Sequence, residues 1–219
     1  SLIWTAGSSL IVALGTIILG LPAAQFLARG RGRGKLLIEM ALLLPLFGDI
    51  FLAYALLYAF APQGIVNWAL QGAGLIDAPV RLAGTPPAAI AAMILPALSV
   101  LLMRSALARV DPVYEEAARM LGAHPLRAWF TTTFALARVG VAGAFLLTFA
   151  GSVGAYTLPI ILAGRYNIWM SRTIEEAYTF DNIPLASALS IALTLLASAV
   201  IYLYLRLSKP RSAAQRYVG

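Results

Sequence analysis

Residues 2–35 read LIWTAGSSLIVALGTIILGLPAAQFLARGRGRGK. From 2 to 28 there is no charged side chain; Arg29, Arg31, Arg33 and Lys35 then follow at alternate positions. About 20 mostly apolar residues suffice for a helix to cross the hydrocarbon core of a bilayer, and residues 2–28 exceed that. A cluster of Lys and Arg directly after an apolar run marks a cytoplasmic flank. The stretch therefore predicts a membrane-spanning helix that starts outside and ends inside. It is too long for the apolar core of a signal peptide and has no basic front, so no cleavable signal is expected. With Ser1 rather than Met at its head, the chain is expected to be preceded by at least one further crossing.

The whole chain repeats this composition. Of its 219 residues 61% are hydrophobic and 11% charged, with a mean hydropathy of +0.84. A soluble domain carries about 25% charged residues, so lipid rather than water must cover this surface. The absence of cysteine excludes disulfides and a thiol nucleophile, and the single His124 excludes a multi-histidine metal site. The net charge of +7 sits at the ends of apolar runs, which points to membrane flanks and not to a nucleic-acid partner. One all-helical membrane domain over residues 1–219 is expected.

Further apolar runs cover residues 36–61, 88–107, 134–162 and 185–207, giving about five spans. The fourth is too long for one straight crossing, and Gly151, Gly154 and Pro159 predict a break in its second half. Thirteen of the sixteen Lys and Arg side chains fall on one side. These are the first connection, the stretch with Arg104, Arg109, Arg119, Arg127 and Arg138, and the tail with Arg206, Lys209, Arg211 and Arg216. Only Arg81, Arg165 and Arg172 fall on the other. The basic side is the cytoplasm. Tyr58 and Trp68 near the outer boundary and Tyr202 and Tyr204 near the inner one fit aromatic belts. A short amphipathic helix is expected over residues 65–71, in an outer segment rich in Gly and Pro.

The most polar stretch, DPVYEEAARMLGAHPLRAWFTTTFALARVGV at residues 111–141, lies on the cytoplasmic side. Asp111 predicts an N-cap and Pro112 the first helical residue. Gly122 predicts the stop, and His124-Pro125 opens the next helix. Val113, Ala117 and Met120 or Leu121 share one face, while Glu115, Glu116 and Arg119 offer polar contacts. The small Ala117 and Ala118 permit close approach of another surface. Such a helix fits either a groove on a partner or a solvated linker.

Glu116-Ala117-Ala118, three residues, then Gly122 resembles the EAA loop of binding-protein-dependent ABC importer permeases. The resemblance implies the type I importer fold: a polytopic transmembrane helical bundle with one helix before residues 2–28. It implies a cytoplasmic coupling loop over residues 108–128, with Glu115, Glu116, Ala117, Ala118 and Gly122 meeting an ATPase dimer. ATP and Mg would be held by that partner and no cofactor by this chain. A second, different permease and an extracytoplasmic substrate-binding protein complete the implied assembly, in the bacterial inner membrane. GIVNWALQGAGLIDAPVRL (64–82), GAYTLPIILAG (154–164) and FDNIPLASALSIAL (180–193) resemble the polyamine (spermidine/putrescine) branch, whose neighbours include permeases for iron, thiamine and phosphonate. The family often has Leu-Pro and then Pro-Gly after the loop. Here those places read Phe134-Ala135 and Val139-Gly140, so the start of the fourth span is expected to be less kinked.

An acid at the centre of a membrane helix costs about 2.5–3.5 kcal/mol, so such residues face cavities or partners. Asp49, inside the second span, is therefore a translocation-path candidate favouring a cation, or else the cap of a helix broken near Pro45 and Gly48 or the partner of an arginine on the second permease. Ser152, Tyr156 and Thr157 are path candidates in the broken fourth span, where small residues also serve helix packing. Tyr54 is a further candidate. Glu175, Glu176 and Asp181 would face the outside, toward a binding protein or a cation. An ATP-independent secondary transporter or channel is the alternative, and it would need more intramembrane charge. A membrane-embedded enzyme would need paired reactive groups, which one histidine and one intramembrane acid do not provide. The chain lacks G-x-x-x-x-G-K-[ST], so the phosphate loop of an ATPase is not its own.

Overall fold

The computed structural model describes residues 1–30, 33–43, 48–94, 97–164 and 168–208. Its helices are α1 (Leu2–Arg29), α2 (Arg33–Leu43), α3 (Asp49–Ala59), α4 (Ile65–Gly72), α5 (Pro86–Met93), α6 (Ala97–Ala108), α7 (Val113–Met120), α8 (Pro125–Trp129), α9 (Ala135–Val153), α10 (Thr157–Leu162), α11 (Met170–Thr179) and α12 (Ile183–Ser208). A π-helical turn, Phe130–Phe134, joins α8 to α9. Arg31, Pro45, Arg165, Lys209, Arg211, Arg216 and the side chain of Tyr204 lie outside the described residues.

Among the described residues four segments are long and apolar enough to cross a membrane: Leu2–Arg29, Pro86–Ala108, Pro125–Val153 and Ile183–Tyr202. The expected second span is not one continuous helix. It falls into α2 and α3, of 11 residues each. At 1.5 Å per residue the described part of each spans about 16 Å. Pro45 and Gly48 stand between them in sequence, and both residue types disfavour helix interiors. The fourth span begins earlier than expected, at Pro125 rather than 134, and breaks after Val153 as the Gly151, Gly154 and Pro159 pattern predicts.

The bundle is organised around α1, α6 and α9, each packed on the other two. The buried stripe of α1 runs Thr5, Ser8, Ser9, Val12, Ala13, Thr16, Gly20, Ala24, Leu27, at helical three- and four-residue spacing and made mostly of small side chains. Small faces let membrane helices approach until their backbones are nearly in contact. The same device joins α6 to α9: a Cβ on Gly140 would overlap the Cβ of Ala106. Larger side chains fill the inner end, where Leu27, Met103, Leu107 and Val141 form one cluster. A second cluster at the other end gathers Ala89, Ala92, Leu162 and Trp169. Trp4 meets Trp169 edge-on at 6.0 Å there.

Several buried hydroxyls find protein partners, as polar groups shielded from water favour, whereas Ser9 Oγ is buried without one. Thr16 donates to the Ile94 carbonyl at 3.1 Å, and Thr5 accepts the Met170 amide at 2.8 Å while donating to the Ser1 carbonyl at 3.0 Å. The start of α1 thus lies against the start of α11. Its other end, Arg29, lies against α7, and Arg104 on α6 pairs with Glu39 on α2 at 2.8 Å. Arg29 and Arg119, which sequence assigns to one side of the membrane from separate connections, thus meet on one carboxylate.

Candidate functional site

Two places concentrate polar chemistry, one at the basic end of the bundle and one within it.

At the basic end stands α7. Asp111 accepts the Val113 amide at 2.9 Å, as an N-capping carboxylate does. The helix closes on Gly122, whose amide donates to the Arg119 carbonyl at 2.9 Å, while the Ala123 amide donates to that of Ala118 at 3.1 Å. This pair of bonds is the Schellman closure, which requires a left-handed residue, and Gly122 has φ 87°. His124 is extended, with ψ 142°, and Pro125 opens α8.

The two faces of α7 differ sharply. Val113, Tyr114, Met120 and Leu121 are exposed, the last two 89% exposed each. Glu116, Ala117 and Gly122 are exposed with them, and Ala118 is half-buried. Glu115 alone is buried. Its carboxylate accepts from Arg29 at 2.6 Å, from Arg119 at 2.7 Å and from the Thr133 hydroxyl at 3.2 Å. Glu115 and Glu116, grouped together by sequence, therefore point in different directions. The i,i+4 spacing of Glu115 to Arg119 was readable, but the inward partners Arg29 and Thr133, 86 and 18 residues away, were not.

Thr133 lies in the π turn where the sequence resemblance predicts a less kinked start. The span enters through a local widening of the helix. Thr131 donates to the Arg127 carbonyl and Thr132 to that of Ala128, both at 2.7 Å. Hydroxyls that bond back one turn compete with the regular ladder and bend helices. Trp129, Phe130 and Phe134 pack around the turn, with ring centroids 4.8–5.8 Å apart.

Within the bundle, a cleft of about 450 Å³ lies among α3, α5, α6, α9 and α10. Asp49, Ser99, Thr148, Ser152, Tyr156 and Thr157 supply its polar lining. Asp49 begins α3, directly after Gly48, so it is both the acid at a helix N-terminus and a wall of the cleft. A carboxylate is favourable there because unpaired backbone amides gather at that end. The backbone break that places Tyr156 and Thr157 is held from outside: Ser171 on α11 donates to the Ala155 carbonyl at 2.8 Å. The Tyr156 hydroxyl lies close enough to Glu175 to feel its charge. Tyr156 also borders a second, more open groove of about 620 Å³ along α11 and α12, lined by Glu175, Ser171, Ser187 and Ser190. Arg172 is engaged by Glu176 at 2.7 Å.

Of the path residues expected from sequence, Asp49, Ser152, Tyr156 and Thr157 share this cleft. Tyr54 does not line it; its side chain is exposed elsewhere on α3. Ser99 and Thr148 were missed, though hydroxyls in the middle of apolar runs are the signal that picked out Ser152. They meet at 2.7 Å, donor to acceptor, on facing helices α6 and α9.

A multi-helix membrane bundle with an exposed polar helix at its basic end and a polar cleft inside defines a transport component. The chain belongs to the family of binding-protein-dependent transport system inner membrane components, whose model matches residues 11–213. It is 27% identical over 212 residues to the spermidine/putrescine transport system permease protein PotB of Escherichia coli (strain K12), covering 95% of this chain and 77% of that protein. To the molybdenum transport system permease protein ModB of Mycobacterium tuberculosis (strain ATCC 25618 / H37Rv) it is 30% identical over 203 residues, covering 90% and 74%. Its fold matches a chain in the crystal structure of a bacterial alginate ABC transporter in complex with alginate pentasaccharide-bound periplasmic protein. The TM-score is 0.74 at 17% identity, over 95% of this chain and 76% of that one. The protein is thus a multi-pass inner-membrane permease subunit of an ABC importer, with the type I importer permease fold.

Proposed function

We propose that this subunit forms half of the path for a small organic cation of the polyamine class and receives the stroke of a cytoplasmic ATPase through α7. The observation that carries the docking role is the outward face of α7, where Val113, Met120 and Leu121 stand unburied beside Glu116, Ala117 and Ala118. An apolar face on an otherwise polar helix, with small residues that let a neighbour approach, fits a helix-in-groove contact. Gly122 ends that helix so that the chain turns back into the bundle. ATP and Mg would bind the ATPase dimer. A second, different permease would close the cleft from its open side, and an extracytoplasmic binding protein would deliver substrate. Closure of the ATPases on ATP would then switch the cleft between the two sides of the membrane.

The cation assignment rests on the acids. Asp49 lines the cleft, and Glu175 lines the adjoining groove that Tyr156 also borders, while the nearby Arg172 is held by Glu176. In surroundings of low dielectric a carboxylate attracts a cation strongly and repels an oxyanion equally. The test is uptake into proteoliposomes of the assembled transporter with radiolabelled spermidine and with molybdate. Asp49→Asn is expected to lower spermidine uptake by roughly tenfold, the equivalent of ~1.4 kcal/mol. Molybdate uptake by the unmodified transporter, or spermidine uptake untouched in the variant, would remove the cation reading.

A further inference from the structure

The carboxylate of Glu115 faces away from the surface that α7 offers to a partner. It is held by three groups from three elements: Arg29 at the end of α1, Arg119 on α7 itself and Thr133 in the π turn below α9. Arg29 closes the ring, its second guanidinium nitrogen donating to the Thr133 hydroxyl at 3.2 Å. Thr133 is fully buried. A fork-shaped guanidinium between a carboxylate and a hydroxyl fixes direction as well as distance, which a single contact does not.

This ring joins the elements a stroke must connect. α1 and α9 are two of the three helices at the centre of the bundle, and α9 carries Thr148 and Ser152 into the cleft. Beyond the ring, α7 reaches the bundle through the backbone turns at its two ends and its short packing against α8 and the π turn. The π turn is itself a place where a helix can shift its register, since its extra residue can move along the helix.

We propose that Glu115 is a positioning residue that clamps the docking helix to α1 and to the π turn, so that displacement of α7 is carried to the cleft as a rigid movement. Glu116 and its neighbours meet the partner; Glu115 holds the lever to the bundle. The inference rests on the proposed docking of an ATPase to α7.

The test uses the complete transporter with its ATPase and binding protein, reconstituted in proteoliposomes. Glu115→Gln keeps the shape and removes the charge. Arg29→Glu combined with Glu115→Arg restores a pair of opposite sign. Three quantities are read: ATPase retained with the permease, radiolabelled spermidine taken up per ATP hydrolysed, and the nucleotide-dependent change in amide exchange over residues 130–134. Glu115→Gln is expected to retain the ATPase, to lose the exchange response, and to lower uptake per ATP about fivefold or more, the lower bound of a typical coupling between sites. The exchanged pair is expected to recover part of both. Unaltered exchange response and uptake in Glu115→Gln would overturn the clamp. So would loss of the ATPase from that variant, which would make Glu115 part of the docking face. An unmodified permease that retains no ATPase would overturn the docking reading and the clamp with it. An unmodified transporter that hydrolyses ATP without moving spermidine touches only the substrate assignment, because the exchange response still decides the clamp.

Discussion

At the scale of single residues, position on one short helix separates two neighbouring glutamates. Glu116 is exposed and Glu115 buried. Reversing the charge of the exposed one, Glu116→Lys, is expected to weaken ATPase retention and lower uptake per ATP by about fivefold or more. Co-purification and paired uptake and hydrolysis measurements check this, and unchanged transport would count against the docking role. Sequence could name both glutamates through the EAA resemblance but could not orient them. The distinction depends on Arg29, which a sequence reading assigns only to the count of flanking cations. Asp49 is the converse case. Sequence offered a path residue, a helix cap or a partner for an arginine of the second permease; Asp49 is the first residue of α3, after the cap Gly48, and lines the cleft.

At the scale of elements, the apolar runs located the long helices well because length and uncharged composition are sufficient signals for them. They failed where a run is interrupted from within. Residues 36–61 carry one continuous apolar signal, yet α2 and α3 are separate, since hydropathy is blind to backbone breaks. The π turn was equally hidden: three consecutive threonines read as ordinary helix until their hydroxyls are seen bonding to the preceding turn. The α6–α9 contact yields a test of packing. Because a side chain on Gly140 would collide with Ala106, Gly140→Leu is expected to cost about 1–3 kcal/mol and to lower the thermal midpoint in detergent. The same substitution at Gly143, whose nearest neighbour is the flexible Leu102 side chain at 3.7 Å, is expected to cost less. Equal midpoints for the two variants would contradict the close approach of α6 and α9. The stop of α7 makes a parallel case: Gly122→Val would force a β-branched residue to φ 87°. It is expected to loosen the docking helix by about 1–3 kcal/mol, seen as faster amide exchange over residues 113–122.

At the scale of the whole molecule, the arrangement makes sense as half of a larger machine. A polar cleft within a membrane bundle is open to lipid unless another subunit covers it. The last long helix, α12, is buried for only a small part of its surface in this chain. Arg29 and Arg119, two of the cations that sequence assigns to the cytoplasm, lie at the end of the bundle that carries α7, where an ATPase would stand. What sequence could not supply is the relation between that end and the cleft, because it runs through contacts between residues far apart in the chain. Native mass spectrometry of the complex, extracted from its own membrane in mild detergent, weighs the assembly directly. This subunit is expected together with two copies of an ATPase and one copy of a different permease. A subunit that emerges alone, or only with copies of itself and never with an ATPase, would contradict that assembly.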